Sequence, residues 1–235
     1  TNSEAKRLAV QATPATWILG LQQTDGRARG KKRWYSLSKN FTSSLLFYPN
    51  IEESKLPFFS FVAGVAMFDT LVQIGVNSDN LCLKWPNDLL LNKKKIGGIL
   101  LESVGRAWTK QKALIVGFGL NLVSCPNQND LESDALSPGY LGSVLETVPN
   151  AEEFLKMLMP VFDKWSSTLL NREFSQISDA FLQRTIPVGT QIKVKTLNNT
   201  TIGSFFGLSE DGSLILDCLS GRMLVSAGDV ALVGK

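Results

Sequence analysis

Three short stretches of this chain carry side chains that could do chemistry. The first is Lys84-Trp85-Pro86-Asn87-Asp88, followed seven residues after Asp88 by Lys95-Ile96-Gly97-Gly98-Ile99-Leu100. A Trp-Pro-Asn-Asp turn is a poor way to build a core, because it ends the apolar run Leu81 to Leu83 with an amide and a carboxylate. A carboxylate at Asp88 can position an amine, take its proton or help hold Mg²⁺. The amide of Asn87 can support a phosphate or metal. The second stretch is Gly26-Arg27-Ala28-Arg29-Gly30, continued by Lys31, Lys32, Arg33 and Trp34. Arginine forks bind phosphate oxygens, and interleaved glycines let the backbone approach a ligand. The third is Gly117-Phe118-Gly119-Leu120-Asn121. The chain has no histidine, which excludes Ser–His and Cys–His nucleophiles and imidazole metal sites.

Each stretch also has a plainer reading. The basic cluster alone suits a solvated loop. Lys95 alone suits a solvated lysine in a Lys93-Lys94-Lys95 turn. Asn87-Asp88 suits a turn pair bonding its own backbone. Lys84 and Trp85 are ambiguous, since Trp85 suits packing beneath the hairpin. Gly97-Gly98 shifts the balance, because paired glycines inside a strand mark close approach by a ligand or another backbone. Gly117 and Gly119 do the same on the next strand. Two facing strands stripped of side chains make a slot for a slim, flat, partly apolar molecule.

The elements that must hold these groups can be read from the pattern. Asn2 or Ser3 caps a helix through Val10. Strands are expected at Thr16–Gln23 and Phe41–Tyr48, with a long basic loop from Thr24 to Ser38. Helical spacing predicts a buried helix from Pro57 to Ile74. A hairpin turning at Asn92-Lys93-Lys94 places Asp88 on its outgoing strand and Lys95 at the start of its return. A strand follows at Ala113–Leu122, then a loop-rich stretch with a short helix near Tyr140 to Leu145. Helices are expected at Ala151–Leu170 and Phe174–Leu182. Beyond Ile186-Pro187-Val188-Gly189, five short strands with breaks at Asn198-Asn199, Asp211-Gly212 and Ser220-Gly221 predict a small β-barrel. The division is 1–185 and 186–235.

Length, 235 residues, suits one large domain or a large and a small one. A net charge of +3 does not demand a nucleic-acid partner. No transmembrane helix or signal peptide is expected. Cys82, Cys125 and Cys218 read as reduced thiols of a cytoplasmic protein.

In order and in spacing, the three motifs resemble those of the biotin protein ligases. The resemblance implies an α+β fold, with a mixed β-sheet flanked by helices as in class II aminoacyl-tRNA synthetases. A small C-terminal SH3-like barrel follows. It implies a two-step reaction: biotin and MgATP give biotinoyl-5′-AMP and pyrophosphate. A lysine of a biotin carboxyl carrier domain, of the acetyl-CoA carboxylase type, then attacks the mixed anhydride. Lys95, Arg27, Arg29 and Asp88 become catalytic residues. Thr1, Asn2, Gln23, Gly26, Arg27, Ala28, Arg29, Lys95, Gly97, Gly98, Gly117 and Gly119 become the biotin site. Arg27, Arg29, Trp34, Asn87, Lys95 and Asn121 become the ATP and adenylate site, with Mg²⁺ near Asn87 and Asp88. From the residues alone, Asn2 is equally a helix cap and Gln23 an ordinary strand-end residue.

Ala28 departs from the family's second glycine, and a positive φ there would cost roughly 1 kcal/mol. The family motif reads Ser-Thr-Asn where this chain starts Thr1-Asn2, so a few preceding residues are expected. The form expected is a ligase without an N-terminal DNA-binding domain or repressor activity, as a monomer or homodimer. The rivals are a lipoate or octanoate ligase or transferase, an inactive ligase-like protein, and a non-catalytic module binding adenylate or nucleic acid.

Overall fold

The computed structural model describes residues 1–11, 14–106, 109–132, 135–171, 174–196 and 199–233. Part of the predicted Asn198-Asn199 turn lies outside them. Six strands form one sheet: β1 (Thr16–Leu19), β2 (Phe41–Phe47), β3 (Leu81–Lys84), β4 (Asp88–Leu91), β5 (Lys94–Arg106) and β6 (Thr109–Leu120). Their order is β1-β2-β6-β5-β4-β3. Every neighbouring pair is antiparallel, so the expected mixed sheet is corrected. Each connection is a hairpin or a return from an outlying helix, and neither forces parallel pairing. Among the described residues, parallel pairing appears only as isolated bridges, Leu83 to Thr185 and Lys95 to Pro138.

One face carries α1 (Asn2–Val10), packed through Ala5 and Ala9 on Leu46, Ala113 and Ile115. The other carries the main core. Helix α2 (Phe59–Gln73) lies there with Val62, Ala63, Val65, Ala66, Met67 and Leu71 fully buried. Residues Glu53–Gln73 have the length and hydropathy of a membrane span. They are mostly buried within the protein, beneath α3 (Ala151–Asn171) and α4 (Ser175–Leu182). The short helix expected near Tyr140 is a single 3₁₀ turn, Leu141–Ser143. Strand β1 stops at Leu19, so Gln23 lies beyond it.

Strands β7 (Gln191–Lys195), β8 (Thr200–Leu208), β9 (Leu214–Cys218), β10 (Gly221–Val225) and β11 (Asp229–Leu232) form a second antiparallel sheet. Its order is β10-β9-β8-β7-β11. Its inward residues, among them Ile192, Val194, Phe205 and Leu216, join the same apolar cluster as α2. The two sheets are also tied by hydrogen bonds. The indole Nε1 of Trp85 donates to the Gly212 carbonyl at 3.1 Å, and Lys84 Nζ donates to the Val230 carbonyl at 3.0 Å. Trp85 thus lies under the hairpin but anchors the C-terminal sheet.

Candidate active site

Period-two alternation decides which residues meet on the α1 face of the sheet. Gly98, Gly119 and Thr42 form one cross-strand row, and Leu100, Gly117 and Ser44 the next. These rows floor a narrow slot. A Cβ on Gly117 would sit 2.4 Å from Asn2 Oδ1, and one on Gly119 would sit 2.6 Å from the Trp34 ring. Glycine is required at both. Gly97 points the other way, toward Met67 of α2, and its added Cβ would meet the Gly119 carbonyl at 2.9 Å. Its place in the ligand site is therefore corrected: Gly97 serves helix–sheet packing, because it is one residue out of phase with Gly98.

The polar end of the slot is a connected set. Gln23 Nε2 donates to Thr1 Oγ1 at 2.9 Å, and Ser44 Oγ lies 2.6 Å from the same oxygen. Ser44 also bonds Asn2 Oδ1, while Asn2 Nδ2 donates to Glu102 at 2.8 Å. Asn2 therefore does not cap α1; Thr1 holds that position without a side-chain bond. Glu102 also receives Lys6 Nζ at 2.6 Å and Arg27 Nη2 at 3.3 Å. Burial pushes its carboxyl up, but Lys6, Asn2 and Arg27 together hold it below the usual range. Ser44 and Glu102 escaped the sequence reading. The signal for Ser44 was present: Thr42-Ser43-Ser44 is a polar run in a strand otherwise buried and apolar.

The basic stretch folds back on itself. Arg27 bridges Arg33, Trp34 N donates to the Gly26 carbonyl at 2.9 Å, and Ala28 N donates to Lys32 O at 2.8 Å. A Cβ on Gly26 would lie 2.1 Å from the Trp34 carbonyl, so Gly26 permits this closure without lining the slot itself. Ala28 is extended, φ −119°, so the expected penalty at Ala28 does not arise. The left-handed residue is Gly30, φ +65°. The two arginines part company: Arg27 lines the slot, whereas Arg29 faces a larger cavity of about 590 Å³. That cavity lies between the basic stretch, residues 126–132 and 135–138, and the C-terminal sheet. Arg29 Nη1 donates to Asn87 Oδ1 at 3.3 Å. Trp34, Asn87 and Lys95 line both spaces. Asn121 lines the cavity, with its amide donating to the Gly139 carbonyl at 2.9 Å.

At the junction stands a charge cluster. Asp88 Oδ1 meets Lys95 Nζ at 2.6 Å, and Asp88 Oδ2 meets Lys84 Nζ at 3.0 Å. The β3–β4 register sets Lys84 opposite Asp88 across the turn, where the Trp85–Pro86 peptide is cis. Asn92 and Lys93 take the positive φ of the following turn, which starts β5 and brings Lys95 back to Asp88. The Lys95 backbone is strapped by Ser137 O at 2.8 Å and Gly139 N at 2.9 Å. Burial pushes the Asp88 carboxyl up, but the Lys95 and Lys84 ammonium groups outweigh it and hold it at about 2. The solvated-lysine and turn-pair readings therefore both fail.

Asn87 and Asp88 do not fit a resident Mg²⁺ site. Each carboxylate oxygen already holds an ammonium, and Asn87 is occupied by Arg29 and by the Ile99 carbonyl at 2.7 Å. Among the described residues no acidic or thiol cluster suits a metal ion.

The chain is similar to known proteins. Residues 2–121 match the biotin/lipoate A/B protein ligase family, and residues 188–233 match the biotin protein ligase C-terminal domain. A biotin–[acetyl-CoA-carboxylase] ligase of Paracoccus denitrificans is 35% identical over 100% of this chain and 97% of its own length. The bifunctional ligase/repressor BirA of Bacillus subtilis is 28% identical over 99% of this chain and 71% of its own length. The biotin protein ligase of Aquifex aeolicus, solved in complex with biotin and ATP, superposes with a TM-score of 0.79 over 97% of this chain and 94% of its own, at 22% identity. The chain belongs to the biotin/lipoate A/B protein ligase family.

Proposed function

We propose that this protein joins biotin to ATP, giving biotinoyl-5′-AMP and pyrophosphate, and transfers the acyl group to a lysine of a biotin carboxyl carrier domain. The observation that carries this reading is the position of Lys95. Its ammonium stands where a narrow slot with a polar end opens into a large cationic cavity. A carboxylate in the slot and an α-phosphate in the cavity would meet there. Thr1, Gln23, Ser44 and Asn2 supply donors and acceptors for a ureido ring, which has one carbonyl and two N–H groups. Gly98 leaves room for the flat rings, while Gly117 and Gly119 let Asn2 and Trp34 close down on the sheet around them.

In the adenylation step, Lys95 holds the biotin carboxylate against the α-phosphate and stabilises the charge that builds as pyrophosphate leaves. Arg29 contributes a second cation from the cavity side. Arg27 closes the slot from the Glu102 side. Mg²⁺ belongs to the nucleotide substrate. Asp88, with a carboxyl at about 2, is too weak a base near neutrality to deprotonate an incoming amine. Its role in this reading is to fix Lys95.

We also assign residues 1–185 to catalysis and 186–235 to a small SH3-like barrel that walls the nucleotide cavity through Lys193, Lys195 and Asp229. The three free thiols support a reducing, cytoplasmic setting.

The test is ATP–pyrophosphate exchange with Mg²⁺ and biotin, lipoate, octanoate or no acid. Biotin-dependent exchange is expected, with Lys95→Ala lowering it about a hundredfold or more. Exchange with lipoate or octanoate in place of biotin would move the chain to the other branch of its family.

A further inference from the structure

Lys84 has no part in the roles assigned above, yet it is among the most buried charges in the molecule. Its side chain is 6% exposed, against 29% for Lys95. Burying an ammonium is costly unless it is paired and hydrogen-bonded. Alternation along β3 puts Lys84 on the face opposite Leu81 and Leu83, and Leu83 packs toward Gly64 of α2. Packing alone would be met by leucine or methionine here, without that cost.

The contacts of Lys84 are specific. Nζ lies 3.0 Å from Asp88 Oδ2 and donates at 3.0 Å to the Val230 carbonyl on β11. The other Asp88 oxygen holds Lys95 at 2.6 Å. An unbroken chain thus runs from Val230 O through Lys84 and Asp88 to Lys95. Two consequences follow. With both oxygens held, the carboxylate cannot turn away from Lys95. Two cations on one carboxylate also leave an excess positive charge at the mouth of the nucleotide cavity, whose wall includes Lys84 itself. The neighbour of Val230, Asp229, pairs with Lys32 of the basic stretch at 3.2 Å. Adjacent residues of β11 therefore touch both cationic elements of the site.

We propose that Lys84 is a positioning residue for adenylation. It fixes Asp88, and through Asp88 the reactive Lys95, relative to the C-terminal sheet. This rests on the ligase reading of the same site. Loss of Lys84 leaves the slot intact but lets Lys95 wander from the place where carboxylate and α-phosphate meet. Small displacements of this kind act on turnover more than on binding.

The experiment compares wild type, Lys84→Met, Lys84→Gln and Lys84→Arg in biotin-dependent pyrophosphate exchange. Biotin affinity is measured in parallel by calorimetry, and rates are normalised to folded protein. Lys84→Met keeps the shape without the charge, and is expected to lower kcat about tenfold or more with biotin Kd within about twofold. Lys84→Gln carries the same expectation should Lys84→Met not fold. Lys84→Arg keeps the charge and is expected to recover part of kcat, which a purely structural role would not predict. Adding Asp88→Asn to Lys84→Met is expected to cost less than the two single losses combined, because the pair acts as one unit. Normal kcat per folded molecule in the neutral variants would overturn the assignment of Lys84 and leave the ligase reading standing. A wild-type chain without any exchange would overturn both.

Discussion

At the scale of single residues, the proposed chemistry turns on a carboxylate that does not behave as an ordinary aspartate. Asp88 is about nine-tenths buried and its carboxyl lies below the unfolded value near 3.8, at about 2. A depressed folded value means that the stabilisation is fully present above the unfolded pKa and is lost as pH falls through the folded one. Its contribution, on the order of 2 kcal/mol, is therefore expected to disappear between about pH 4 and pH 2. Acid titration of unfolding free energy should show that loss in wild type. Asp88→Asn should start lower by about 3–5 kcal/mol, because it strands the buried Lys84 charge. A variant as stable as wild type at neutral pH would contradict the geometry. The acidic and basic residues were visible in the sequence, but the pairing was not. Lys84 and Asp88 are four apart, and only the β3–β4 register brings them face to face.

At the scale of elements, the slot is made by three strands whose facing positions lack bulk. Sequence showed the glycines of β5 and β6 but gave Gly97 and Gly98 the same role. The pleat separates them, one to α2 and one to the slot. It also brings in Thr42 and Ser44 of β2, because β2 neighbours β6. Gly117→Ala tests this arrangement directly. Its methyl would meet Asn2, a buried side chain held by Ser44 and Glu102. Overpacking of this sort costs about 1–3 kcal/mol. Biotin binding measured by calorimetry should weaken at least tenfold, corresponding to about 1.4 kcal/mol. Unchanged binding would show that the slot is not the acid site.

At the scale of the whole molecule, the C-terminal sheet is not an appendage. Its buried side chains belong to the cluster that includes α2, and Gly212, with φ +76°, packs against Phe61 and Phe174. Scanning calorimetry of the full chain is thus expected to give one cooperative transition, with calorimetric and van't Hoff enthalpies in agreement. Two separated transitions would mean that the sheets fold independently. The cavity proposed for the nucleotide lies between them, lined by Arg29 and Lys32 on one side and Lys193, Lys195 and Asp229 on the other.

By itself the sequence determined the family, the three motifs and nearly all the elements, because periodicity, turn residues and motif spacing are local properties of the chain. The tertiary structure alone decided which groups meet. It turned Gly97 toward the core, parted Arg27 from Arg29 and kept Ala28 extended. It also drew Lys84 into contact with Val230, 146 residues away. Strand register and sheet order fix those meetings, and both come from the burial of apolar faces over the whole chain, which no local pattern encodes.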